Sequence, residues 1–166
     1  PLSHVFGKIL LALPLQMGFP TAIDGKIDKI VDNLAVIKPT FMGAAPRIFE
    51  KAYAKIAMTV QAETGVKRQL MDWALGVGKQ AMELQSQGKS VGGLLAVQHA
   101  VADKLVLSKI RERFGGRVRF FISGSAALNP EIARWFGSVG LVILEGYGLT
   151  ETSAATCVNR PSLGGY

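Results

Sequence analysis

Residues 117–148 read RVRFFIS, then GSAALNPEIARWFGSVG, then LVILEGYG, and no other stretch limits the possible folds so strongly. The two outer runs are short, rich in Val, Ile and Phe, and bounded by Gly and Ser, which is the pattern of buried strands. Between them Asn129 suits an N-cap, Pro130 the first helical position, and Glu131 the positive end of a helix. Strand, short helix and strand in this order form a βαβ unit, and a crossover of this kind joins parallel strands. The sequence therefore predicts an α/β fold built on a parallel sheet with βαβ crossovers. Parallel strands send their carboxyl ends to one edge, so Ser123-Gly124-Ser125 and Gly146-Tyr147-Gly148 are expected on one rim, with Gly43-Ala44-Ala45 beside them.

Upstream, residues 3–18 read as a helix or helical hairpin leading to a short strand at 21–23. Ile27, Ile30, Val31, Leu34 and Ile37 recur at helical spacing on a helix that stops before Lys38-Pro39. TFMGAAPR then gives an apolar strand, and Pro46 opens a helix that carries Phe49, Tyr53, Ile56 and Val60 on one side and extends to about Glu63. A second helix ends at the Gly88-Lys89-Ser90 break, and a third runs from about Val91 to Phe114. Residues 46–116 contain no strand-like run, and lack a proline-rich linker on either side. They read as a helical insertion layered on the sheet, with 117–160 as the βαβ segment that carries the site.

A length of 166 residues suits one domain, and 49% hydrophobic against 19% charged residues excludes a disordered chain. The longest greasy stretch, residues 9–19, contains Pro14 and is shorter than the ~20 residues of a membrane span. No leader with a cleavage site is evident, and a lone Cys157 makes no internal disulfide, so a reducing, cytoplasmic setting is expected. Cys157 itself reads as a small core residue rather than a nucleophile. The net charge of +7 comes from nineteen basic residues spread along the chain. Without a basic run, nucleic acid is not the expected partner, while peripheral contact with an anionic membrane surface stays open. The chain begins at Pro1 and ends on PSLGGY, and reads as a piece of something longer.

The shared rim is where open α/β sheets bind ligands. Tyr147 between two glycines offers its ring as a stacking surface. The Thr150 hydroxyl suits a phosphate oxygen, and the Glu151 carboxylate is a hard oxygen ligand for the Mg²⁺ that accompanies a nucleotide. The same residues also suit a plain strand-to-helix turn with a capping threonine. Gly146-Tyr147-Gly148 is no dinucleotide fingerprint, since Glu151 stands where the third glycine belongs. Ser125 sits in no nucleophile elbow, and His4 and His99 are too far apart and too poor in companions for a zinc site.

PLSHVF, IKPTFMGAAPRIFEK, FISGSAALNPEIARWF and ILEGYGLTETS, in this order, closely resemble the adenylate-forming enzymes, and among them the long-chain fatty acid–CoA ligases. The resemblance spans nearly the whole chain, and GYGLTE is its most specific element. It implies a central fragment of the large AMP-binding N-terminal domain, in which Tyr147 stacks on adenine and Glu145 and Gly146 offer backbone groups to its edge. Gly148 completes that turn, Thr150 touches the AMP phosphate, and Glu151 holds Mg²⁺, which makes Thr150 and Glu151 the catalytic pair. Gly124, Ser125 and Ala126 match the segment along the adenylate and acyl carboxylate, and His4 matches a position near the acyl site. For His4 a structural hydrogen bond at a helix start is the competing reading. Arg47 is read as fixing the start of its helix, with a place facing the acyl channel as the alternative.

The resemblance further implies ATP, coenzyme A and a fatty acid as substrates. The helical stretch favours a long acyl chain. The lysine-bearing phosphate loop and the small C-terminal domain of the family do not occur in these residues, so the chain alone is expected to be inactive. Where some relatives carry a tryptophan gate this chain has Lys8, which sets their gating mechanism aside. Two alternatives remain: an enzyme that stops at acyl-adenylate and loads a carrier protein, and a non-catalytic α/β ligand-binding module.

Overall fold

The computed structural model describes residues 3–25 and 29–160. The chain runs α1 (Val5–Met17), α2 (Ile30–Ile37), β1 (Phe41–Ala44), α3 (Pro46–Ala62), α4 (Gly65–Ser86) and α5 (Gly93–Ala102). A π-turn (Asp103–Leu107) joins α5 to α6 (Ser108–Glu112), followed by β2 (Phe120–Ser123), α7 (Pro130–Ser138), β3 (Ile143–Tyr147) and β4 (Cys157–Val158).

The sheet order is β1-β2-β3-β4. The first three strands are parallel, with Ala44 beside Ser123 and Ser123 beside Glu145. Their carboxyl ends therefore share one rim, as the sequence predicts. β4 was not foreseen: it returns antiparallel along β3, pairing Gly146 with Val158 and Tyr147 with Cys157.

Side chains alternate across a strand, so the two faces of the sheet bury different partners. On one face Phe121 meets Phe49 of α3, Phe114 and Phe136 of α7, with ring centroids 5.4, 5.9 and 6.2 Å away and the rings edge to face. All four are buried, and edge-to-face geometry adds to the area they remove from water. On the other face Phe41 and Phe120 stack at 5.8 Å, and α1 lies over Gly43 and Gly124. A Cβ on Gly43 would come within 2.8 Å of a Leu10 methyl, and one on Gly124 within 3.3 Å of the Phe6 ring. These two glycines make a flat floor for α1. The side of Gly124 that lacks a Cβ faces the Phe6 ring.

The helix from Pro46 starts and stops as predicted, with Pro46 at its first turn and Glu63 as its C-cap. Asn129 caps α7 by accepting from the Glu131 N–H at 2.8 Å. Lys38 ends α2 in a left-handed conformation, φ 51°, just before Pro39. Ile27, placed on this helix from its periodicity, lies outside the described residues.

Other expectations need correction. Residues 21–23 form no strand; no described strand pairs with them and Ile23 is exposed. Of the two readings of residues 3–18 the structure has the single helix, Val5–Met17, because Pro14 still accepts from the Gly18 N–H at its carbonyl and so closes the last turn. β2 starts at Phe120 rather than 117, since its partner strand begins only after Pro39, which has no N–H to offer. β3 likewise spans 143–147 within the expected 141–148. The third helix begins at Gly93 and is interrupted by the π-turn. Cys157 is exposed rather than in the core, because β4 lies at the sheet edge beside β3 alone.

Candidate nucleotide site

The rim is built by two turns. The first leaves β2 at Gly124 and passes through Ser125, which is left-handed at φ 73°. Ser125 and Ala126 are exposed. The second leaves β3 at Tyr147, turns through residues 150–153 and comes back as β4, with no helix after β3. Ser153 and Ala154 are also left-handed, at φ 59° and 85°. Non-glycine residues held in this region cost on the order of 1–3 kcal/mol each and gather at functional sites. Both rim turns carry them.

Register brings the turns together. Ser123 pairs with Glu145, and the Glu145 carboxylate accepts the Leu128 N–H at 2.9 Å, tying the β2 turn to β3. The carbonyl of Glu145 accepts from the Asn159 N–H at 3.0 Å, so its side chain and its carbonyl both brace the rim. Ser123 is buried, and its hydroxyl has no hydrogen-bond partner.

The second turn is organised by a residue that the sequence reading passed over. Thr152 Oγ1 accepts from the Leu149 N–H at 2.9 Å, donates to the Leu149 carbonyl at 3.1 Å, and accepts from the Thr156 hydroxyl at 2.9 Å. One donor and two acceptor positions exhaust a hydroxyl. The Thr152-x-x-x-Thr156 spacing was the available signal. Gly148 is fixed by packing: a Cβ there would lie 1.3 Å from the Ala154 carbonyl oxygen. Gly146 has ordinary room, its nearest contact being a Val158 methyl at 3.6 Å.

This bracing leaves three groups presented outward. Tyr147 is 63% exposed. Thr150 and Glu151 are exposed, and neither side chain has a hydrogen bond or ion pair among the described residues. No cluster of three or more His, Cys, Asp or Glu side chains occurs among the described residues. A single free carboxylate suits a magnesium ion that takes most of its oxygens from substrate phosphates and water. His4 caps α1, its Nδ1 accepting from the Phe6 N–H at 3.4 Å. The Phe6 ring lies against Gly124, which brings the start of α1 to the same end of the sheet. Arg47 is on the first turn of α3, just after the β1 end of the rim.

The sequence description of the AMP-binding enzymes matches residues 1–165. A protein of Mycobacterium tuberculosis, provisionally named fatty-acid–CoA ligase fadD11, is 38% identical over 97% of this chain and 29% of its own length. Long chain acyl-CoA synthetase 6, peroxisomal, of Arabidopsis thaliana is 35% identical over 92% of this chain and 21% of its own. Fatty acyl-CoA synthetase A of Dictyostelium discoideum is 31% identical over 97% and 23%. The chain thus spans between about a fifth and three tenths of the length of these curated relatives. No solved structure matches it, and no helix among the described residues is long and apolar enough to cross a membrane.

Proposed function

This chain belongs to the AMP-binding enzyme family, and from that premise we propose that the protein containing it activates a long-chain fatty acid with ATP, first to acyl-adenylate and then to acyl-CoA. The observation that carries the proposal is the pairing of Ser123 with Glu145, which sets the Gly124–Ala126 turn beside the segment bearing Tyr147, Thr150 and Glu151. The kinship with proteins named as fatty-acid–CoA ligases and long chain acyl-CoA synthetases supports the substrate class.

In this reading the exposed Tyr147 ring stacks on adenine, and Glu145 and Gly146 offer backbone groups to its edge. The Thr150 hydroxyl donates to the α-phosphate, and Gly124, Ser125 and Ala126 line the path of the adenylate and the acyl carboxylate. His4 stands near the acyl end. Glu151 would hold magnesium, which when bound offsets negative charge on the phosphates. A carboxylate oxygen of the fatty acid forms a bond to the α-phosphorus and the bond to the bridging oxygen breaks, releasing pyrophosphate. The coenzyme A thiolate then bonds to the acyl carbon, its proton having passed to solvent, and AMP leaves. Neither step needs a protein nucleophile, so the rate comes from alignment and from preorganised charge at the phosphate.

The reading is tested by Glu151→Gln in the full-length protein, assayed by ATP–pyrophosphate exchange. Loss of one preorganised contact is expected to remove ~3–4 kcal/mol of transition-state stabilisation. Exchange at the wild-type rate overturns the assignment.

A further inference from the structure

A pocket of about 330 Å³ opens where α3, α4 and α6 meet, on the helical side of the molecule and lined by none of the residues assigned to the nucleotide. Its walls are apolar, formed among others by Val60, Leu70, Met71 and Ile110. Four charged residues also line it, the cations Lys67, Lys109 and Arg113 and a single acid, Glu63. Glu63 is already engaged, its carboxylate lying 2.5 Å from the Lys67 ammonium. Lys109 and Arg113 are exposed and have no acidic partner among the described residues. Glu112 does not line the pocket, and its side chain lies toward Gly116.

Lys109 and Arg113 are one helical turn apart, and like charges at that spacing destabilise a helix. An uncompensated pair of cations over an apolar cavity matches one kind of ligand well. The planar guanidinium of Arg113 can donate two parallel hydrogen bonds to a carboxylate, with Lys109 as a second point charge. The volume is at the low end of ligand sites, which run from ~300 to 1,000 Å³. It suits a single alkyl chain rather than a two-chain lipid.

We propose that this pocket is a second binding site, which takes the chain of a monomeric fatty acid between α3, α4 and α6 and holds its carboxylate on Lys109 and Arg113. The proposal does not rest on the nucleotide-site reading, since the two sites share no residue.

The test is equilibrium dialysis of the full-length protein against dodecanoate, comparing wild type with the double variant Lys109→Gln, Arg113→Gln. The wild type is expected to hold one more equivalent of dodecanoate than the variant, or to hold that equivalent at least tenfold more tightly. Dodecyltrimethylammonium, with the same chain and the opposite charge, is expected not to compete for it, and Arg113→Lys, which keeps the charge and loses the fork, is expected to weaken it by less than the double variant does. Both substituted side chains are exposed, and an unchanged melting temperature verifies that the variant folds. Equal dodecanoate binding by the two proteins overturns the proposal. So does a variant that loses binding to phosphatidylglycerol vesicles while its dodecanoate count is unchanged, which would make the cations a bilayer contact.

Discussion

The carbonyl oxygen of Ala154 occupies the place where a side chain on Gly148 would begin, 1.3 Å from an ideal Cβ. Two backbone segments of the rim thus touch with nothing between them, and the second glycine of GYG is a packing requirement before it is anything else.

Gly148→Ala is therefore expected to force the 149–154 turn out of place. Overpacking of this kind costs about 1–3 kcal/mol, and the displaced turn carries Thr150 and Glu151. In the full-length protein, ATP–pyrophosphate exchange should fall by at least tenfold, whereas Gly146→Ala, whose new methyl has ordinary room, should leave the melting temperature nearly unchanged. Equal melting temperatures and equal exchange for Gly148→Ala and wild type would remove the packing argument.

Thr152 is expected to act through the turn without touching the nucleotide. Thr152→Val keeps the shape and deletes all three hydrogen bonds, leaving the Leu149 N–H without its partner; a loss of ~1–3 kcal/mol follows from the general cost of such deletions. The KM for ATP should rise while the KM for fatty acid stays put, and Thr152→Ser should restore wild-type behaviour. A uniform loss of folded protein with unchanged constants would reduce Thr152 to a stabilising residue.

The π-turn is pinned by Asp103, which receives Arg111 Nη1 and Nη2 at 2.7 and 2.9 Å, while Nη1 also donates to the Val139 carbonyl at 3.0 Å. The hydrogen bonds from Arg111 hold the Asp103 carboxyl below its ordinary value of 3.8; partial burial opposes this, and the charges of Arg111 and His99 reinforce it. Because the folded-state value is the lower one, the stabilisation is fully present above the unfolded value and disappears as pH falls through the folded one. Asp103→Asn should thus destabilise the full-length protein near neutral pH, and the difference from the wild type should begin to close below about pH 4 and vanish only beneath the lowered folded value. A stability difference that does not vary with pH would show that the carboxylate charge is immaterial.

A chain-length series tests the substrate proposal. Each methylene buried on binding contributes ~0.8 kcal/mol, so activity of the full-length protein should rise from acetate to long-chain acids. A maximum at two to four carbons would assign the protein to a different branch of the same family.

The parallel sheet and the common rim were legible because hydrophobic runs with glycine ends, and an Asn-Pro-Glu helix start between them, encode βαβ locally. The edges of the sheet were not. Residues 21–23 look extended in isolation, but a strand exists only where a neighbour offers its ladder, and β4 is two residues long, too short to show any period. Cys157 was misplaced for the same reason. Of the candidate site, Tyr147, Thr150 and Glu151, which the fold leaves exposed, could be picked out from residue types. Its internal scaffolding could not, because the roles of Glu145, Thr152 and Ala154 arise from contacts that only the folded turn creates.

The left-handed residues Ser125, Ser153 and Ala154 also bear on how such a protein tolerates improvement. Each non-glycine residue in that conformation gives up about 1–2 kcal/mol, and glycine would recover it at an entropic cost of roughly 0.5–1. Besides Lys38, which ends α2 in the same conformation, random selection for heat resistance should then find its cheapest gains at these three positions. They are the hinges of the two turns, so a hardier lineage would carry a looser ligand edge, and thermal robustness and turnover would be selected against each other at the same few codons.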